Sequence, residues 1–178
     1  MVEPKVLSEE IVYDSDWIKI VSSRLEFPDG KTAKWNFPDF GEAVGIVAVD
    51  ASRNVYLVKE WRLAHKRYVT QIPAGHSEGA DTEEKLRKKA RHELMEETGF
   101  DSKKLEKLCV GLTAGRIKQR FHLYLATELF PSKKAPDEHE YTELVKMPLR
   151  EAISYFVAGE ETTGFTLLGL TLADKKLK

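Results

Sequence analysis

Residues 73–100 read PAGHSEGADTEEKLRKKARHELMEETGF, and the second half of this stretch sets the frame for the rest of the chain. Leu86, Ala90 and Leu94 recur every four residues, which aligns them on one face of a helix, so the spacing predicts a helix over 82–98. Asp81 with Glu84 three residues on has the form of a capping box, and Gly99 is a natural stop. Before it, Pro73-Ala74-Gly75 breaks an apolar strand at 68–72 and opens a polar loop. Further towards the N-terminus, 44–49 and 55–58 are rich in β-branched residues and are joined by Asp50-Ala51-Ser52-Arg53-Asn54, a hairpin pattern. Residues 9–37 alternate short apolar and polar positions around the turn Pro28-Asp29-Gly30. Beyond the helix, strands are expected at 108–112, at 121–126 and near Leu144, and helices at 149–156 and 164–176. This order gives an α/β fold: an α/β/α sandwich with a mixed sheet over 41–178, preceded by a small β subdomain over 1–40.

The bulk numbers fit one domain of this kind. The chain has 178 residues, with 28 Lys and Arg against 29 Asp and Glu and a net charge of −1. That balance offers no basic field for a nucleic-acid backbone, so no nucleic acid is expected as partner. The single cysteine, Cys109, excludes an intrachain disulfide and reads as a buried thiol. No stretch is apolar enough to span a bilayer and no targeting segment is visible, so a cytoplasmic protein without membrane contact is expected.

The chemistry sits at the end of the helix. Glu93, Glu96 and Glu97 are spaced three and four apart and share adjoining parts of one surface. Like charges at this spacing destabilise a helix by some tenths of a kcal/mol per pair, a cost that a divalent cation would offset. A solvated acidic face beside Lys88, Lys89 and Arg91 is the other reading of the three glutamates alone.

With its flanks, this run resembles the signature of the Nudix family, G-x5-E-x7-R-E-U-x-E-E-x-G-U, where U is aliphatic or aromatic. Glu84 is followed after seven residues by one mismatch and then by Glu93-Leu94-Met95-Glu96-Glu97-Thr98-Gly99-Phe100. Pro73-Ala74-Gly75 is similar to the tripeptide found in the family's ADP-ribose pyrophosphatase branch. Two departures stand out. Gly75 lies nine residues before Glu84 where the family has six, and His92 stands where the family has arginine, with Arg91 one position earlier.

The resemblance implies hydrolysis of the diphosphate linkage of nucleoside diphosphate sugars, ADP-ribose included, giving a nucleoside monophosphate and a sugar phosphate. A strict ADP-ribose pyrophosphatase and a non-catalytic nucleotide-binding module are the alternatives. It also implies Mg²⁺ or Mn²⁺ held by Glu93, Glu97 and the Ala74 carbonyl, with Glu96 sharing an ion or its water and Glu84 acting through water. The implied base is Glu138, or second to it Glu140, in the acidic loop 136–143; solvated acids are the plainer reading of that loop. For substrate binding it points to Trp61 and Arg62, and to Arg116 and Gln119, which otherwise form an ordinary polar hairpin tip. Asp174 and Lys176 resemble an Asp-x-Lys pattern on the terminal helix of broad nucleoside diphosphate sugar hydrolases, although lysines also complement the dipole of any helix end. A homodimer is implied as well, with Trp17, Trp35 and Phe37 as core or interface residues.

Overall fold

The structure, a computed structural model, describes residues 2–15, 18–77, 82–132 and 142–178. Among these, nine strands and three helices follow in the order β1 (Lys5–Asp14), β2 (Lys19–Glu26), β3 (Thr32–Val49), β4 (Asn54–Arg62), β5 (Arg67–Gln71), β6 (Ala74–Ser77), α1 (Glu83–Thr98), β7 (Phe100–Ala114), β8 (Ile117–Pro131), β9 (Thr142–Pro148), α2 (Leu149–Val157) and α3 (Gly164–Lys176). They fall into two compact units, Met1–Gly41 with Leu112–Arg120, and Glu42–Gly111 with Phe121–Lys178.

In the first unit β1 pairs antiparallel with β2, and β2 with the opening half of β3 from Lys19↔Asp39 to Glu26↔Thr32. The β2–β3 turn lies at Pro28-Asp29-Gly30; Gly30 takes φ 79 there and Asp29 accepts from the Lys31 amide at 3.1 Å. The tip of the β7–β8 hairpin belongs to this unit too, whereas the sequence reading gave the unit residues 1–40 alone. The tip is tied to this unit by contacts such as the Lys118–Asp39 ion pair at 2.7 Å, between residues 79 apart, which no local pattern encodes.

The second unit is a three-layer sandwich around a mixed sheet. The closing half of β3 pairs with β6 over Glu42↔Ser77 to Gly45↔Ala74 and with β4 at Ala48↔Tyr56 and Val49↔Val55. β4 lies between β5 and β9, and β8 pairs with β3 and β7. Successive strand side chains point to opposite faces. Val44, Ile46, Ala48, Tyr56, Tyr124 and Ala126 therefore pack with Leu86, Ala90 and Leu94 of α1. Val47, Val49, Val55, Leu57, Leu123 and Leu125 pack with Leu149, Ala152 and Phe156 of α2 and with Leu170 and Ala173 of α3. Burial on both faces is why these strands read as unbroken apolar runs in the sequence. Each such Leu, Ile or Val contributes about 1.5–3 kcal/mol by leaving water.

The helix at the centre of the sequence reading starts one residue later than expected and is capped differently. Thr82, in extended conformation, accepts from the Lys85 amide at 3.3 Å through its side chain, so it is the N-cap in place of Asp81, which lies outside the described residues. At the other end Gly99 adopts φ 74 and its N–H returns to the Met95 carbonyl, the left-handed stop that the sequence predicts. Strands differ more than helices. β7 and β8 run 15 residues each where short segments were expected, and β6 forms where a polar loop was expected, because pairing with β3 supplies hydrogen bonds that local propensity does not. Cys109 is half-buried, and desolvation pushes its thiol above the ordinary value.

Candidate functional site

The register of β6 on β3 places Gly75 opposite Val44, on the sheet face that α1 covers. There two carboxylates of α1 meet the β6 backbone. Glu93 is 6% exposed and Glu97 9%, unusual burial for glutamate. The Ala74 N–H donates to Glu97 Oε2 at 3.1 Å. Glu93 lies flat against Gly75: a Cβ built on that glycine would stand 2.1 Å from Glu93 Oε1 and 2.3 Å from its Cδ. Only glycine leaves room for the carboxylate at this position. Lys89, one turn earlier, reaches Glu93 Oε1 at 2.5 Å. His76, on the same strand, is held below the ordinary histidine range by desolvation; the Glu93 charge pulls the other way, and Lys89 and Arg62 add to the lowering. Glu93, Lys89, His76 and Arg62 therefore share one neighbourhood.

The donor set suits a hard cation. Two carboxylates buried side by side are costly unless compensated, and α1 has no basic residue in its last turn to help. Lys89 offers Glu93 an ammonium and Ala74 offers Glu97 a backbone N–H, both of them groups that a cation can supplement or displace. Among the described residues no three His, Cys, Asp or Glu side chains converge as a ready-made cage. Mg²⁺ does not ask for one, since it keeps several waters and binds through one or two carboxylates together with substrate phosphates. Glu96 is half-buried beside this pair.

Other expected residues fall differently. Glu84 is exposed in the first turn of α1, nine residues before Glu93, which is roughly 13 Å along the helix axis; a water bridge to the same ion does not span that. Arg91 cannot replace the arginine missing at 92, because its guanidinium is held by Asp101 and the Ser102 carbonyl, both at 2.6 Å. His92 itself is half-buried. Trp61 and Arg62 end β4, Trp61 in an edge contact with Tyr68 at 5.2 Å and Arg62 in an ion pair with Glu60 at 3.1 Å. Arg116 and Gln119 belong to the first unit, where Gln119 accepts from Thr113 at 2.8 Å and Arg116 lines a groove of ≈ 570 Å³ with Trp35 and Phe37. Trp35 is 53% exposed there, so it is not a core residue of its unit. Glu138, Glu140 and Trp17 lie outside the described residues.

Asp174 and Lys176 are placed away from the carboxylates, contrary to expectation. α3 approaches Ile72 with its first turn, where Thr166 Oγ1 accepts from the Ile72 amide at 3.2 Å. Its last turn reaches the β3–β4 turn at the opposite end of the strands, where the Arg53 guanidinium donates to the Leu177 carbonyl. Asp174 is occupied by Arg150 at 3.0 Å and Lys178 at 3.2 Å, and the Arg150 hydrogen bond holds its carboxyl below the usual range. Lys176 pairs with Glu106 at 3.5 Å. The sequence showed the residues of α3 but not the direction in which the helix crosses the sheet.

Two further contacts of the second unit differ in how far the sequence shows them. Lys89 was legible as an i, i+4 partner of Glu93. The buried pair of His122 Nε2 and Glu42 Oε2, 2.6 Å apart, was not, because it joins residues 80 apart.

The family profile described as the NUDIX domain matches residues 39–163. An ADP-ribose pyrophosphatase of Bacillus subtilis is 31% identical over 154 residues, covering 85% of this chain and 82% of that protein. A methanol dehydrogenase activator of Bacillus methanolicus is 30% identical over 156 residues, covering 86% and 83%. Among solved structures, one titled as an ADP compounds hydrolase superposes with a TM-score of 0.85 over 99% of this chain and 95% of its own, at 22% identity, which bears on the fold.

Proposed function

The chain belongs to the NUDIX family, and on that premise we propose that it hydrolyses the diphosphate linkage of ADP-ribose and related nucleoside diphosphate sugars with the help of Mg²⁺ or Mn²⁺. The observation that carries the reading is the pair of buried carboxylates, Glu93 and Glu97, packed against Ala74-Gly75. The match to an ADP-ribose pyrophosphatase supports the substrate class. Since Asp174 and Lys176 are engaged elsewhere, ADP-ribose is the first substrate to test, and breadth towards hexose forms no longer rests on those two residues.

In this reading Glu93 and Glu97 would hold the cation together with the Ala74 carbonyl, with Glu96 as a further oxygen donor to the ion or its water. The bound ion would neutralise charge growing on the leaving phosphate oxygen and acidify the attacking water. Lys89, whose ammonium pairs with Glu93 at 2.5 Å, would be at hand to pair with a diphosphate oxygen once a cation had taken over that carboxylate. Arg62 exchanges Glu60 for a phosphate oxygen, and the exposed face of Trp61 is available for stacking. Glu138, or in its place Glu140, takes the proton of the attacking water. Water adds to one phosphorus, the bridging P–O bond breaks, and the products are AMP and ribose 5-phosphate. Glu138→Gln is expected to lower kcat less than loss of a metal ligand does, by about 10²-fold, with KM little changed. Full activity in that variant together with loss in Glu140→Gln reassigns the base.

His92→Arg is expected to raise kcat, because a guanidinium offers the neighbouring carboxylates a fixed charge and several charge-assisted hydrogen bonds. A fall in kcat at every pH assigns His92 a role of its own.

A homodimer joined through the first unit is part of the same proposal, supported by the exposed apolar residues Val6, Leu7, Ile11, Val12, Tyr13 and Trp35. The test of the function is a panel of ADP-ribose, nucleoside diphosphate hexoses and dinucleotides with Mg²⁺ present. Turnover of none of them, with ADP-ribose nevertheless bound, would favour the binding module.

A further inference from the structure

The ammonium of Lys89 lies 2.5 Å from Oε1 of Glu93, and the two side chains differ sharply in exposure, 36% for the lysine and 8% for the glutamate. The lysine can therefore swing into solvent while the carboxylate stays in place. Helix energetics alone give little reason for the pair. An acid followed four residues later by a lysine is the favourable order on a helix, and here the lysine comes first. The carboxylate also has few open sides, because Gly75 lies so close that a Cβ there would stand 2.1 Å from Oε1 and 2.8 Å from Oε2. A divalent cation on either oxygen would thus stand beside the ammonium, in a place where little water screens the two charges from each other. Arg62 adds positive charge nearby, since it and Lys89 both act on His76 of β6. A diphosphate reverses this balance, for its oxygens offer the displaced ammonium a new anionic partner next to the ion.

We propose that Lys89 is a resident counter-cation of Glu93, which a divalent cation must displace and which then pairs with the diphosphate, so that metal and substrate each bind more tightly in the presence of the other. The inference rests on the reading above that Glu93 and Glu97 take Mg²⁺ or Mn²⁺. Lys89 in this role holds back the metal alone and favours the metal together with a diphosphate. The coupling is reciprocal: the factor by which the diphosphate tightens metal binding equals the factor by which the metal tightens diphosphate binding.

Lys89→Met keeps the length and the helix propensity of the side chain and removes its charge, and Lys89→Arg keeps the charge. Mn²⁺ binding to the metal-free protein is followed by electron paramagnetic resonance, and thermal melting is recorded without metal. The diphosphate probe is ADP-ribose with a methylene group in place of the bridging oxygen, which water does not cleave; its affinity is measured by calorimetry in chelator and in saturating Mn²⁺. For Lys89→Met the expected result is an Mn²⁺ affinity about tenfold above the parent's, with the gain in probe affinity on adding Mn²⁺ about tenfold smaller. Lys89→Arg should stay within about threefold of the parent in both quantities. An ion pair that serves only the helix predicts a lower melting temperature for Lys89→Met at parental Mn²⁺ affinity, and that result overturns the proposal. An unchanged gain in probe affinity overturns it too, as does a Lys89→Arg protein that behaves like Lys89→Met. If Lys89→Met does not fold, Lys89→Gln is read by the same criteria. Glu93→Gln is the control: a parent that binds Mn²⁺ and binds it more weakly in Glu93→Gln keeps the metal site even if Lys89 proves inert. Absence of Mn²⁺ binding from both the parent and Lys89→Met removes the two readings together.

Discussion

Glu93→Gln and Glu97→Gln should each lower kcat for ADP-ribose by about 10³-fold, or roughly 4 kcal/mol of transition-state stabilisation, while leaving the fold intact. The separation of the two effects follows from the environment. Each carboxylate is buried against backbone and is isosteric with the amide that replaces it, so packing is preserved. Repulsion between the two acids is relieved, and the loss of the Lys89–Glu93 ion pair works in the other direction. Melting temperatures within a few degrees of the parent's, with kcat collapsed, are the expected pattern; near-parental kcat in either variant would remove the carboxylates from the chemistry.

Gly75→Ala is expected to cost about 10²-fold in kcat without adding or removing any charge, because a displacement of a catalytic group by an ångström is enough for that. The added methyl would overlap the Glu93 carboxylate, so Glu93 must move. The backbone itself allows alanine, since the glycines with positive φ are Gly30, Gly41, Gly99 and Gly159. Strain at residue 75 is thus excluded as a competing cause. The two substitutions then act on one element and should not add: Gly75→Ala with Glu93→Gln should be no slower than Glu93→Gln alone. Additive losses would mean that Gly75 acts through something other than Glu93.

How far the sequence reached depends on whether the determinant was local. The helix over residues 83–98 and its glycine stop were legible because a 3.6-residue period and a left-handed cap are written in neighbouring residues. Glu93, Glu97 and Ala74 were legible through a motif, and the structure adds what a motif does not contain, the packing of Glu93 on Gly75. Strand β6 and the lengths of β7 and β8 were not visible, since their hydrogen bonds come from partners far away in the chain. Asp174, Lys176 and Glu84 lie apart from Glu93 and Glu97, which the sequence could not show, because a pattern on a helix says which residues share a face but not which end of it approaches another element.

The most direct measurement is the identification of products from ADP-ribose incubated with the purified chain, with Mg²⁺ or Mn²⁺ and with chelator, alongside Glu97→Gln. AMP and ribose 5-phosphate in equal amounts, formed only with metal and at least about 10²-fold more slowly by the variant, are what the carboxylate site requires. Metal-independent release of the same products, or equal rates from parent and Glu97→Gln, would contradict it.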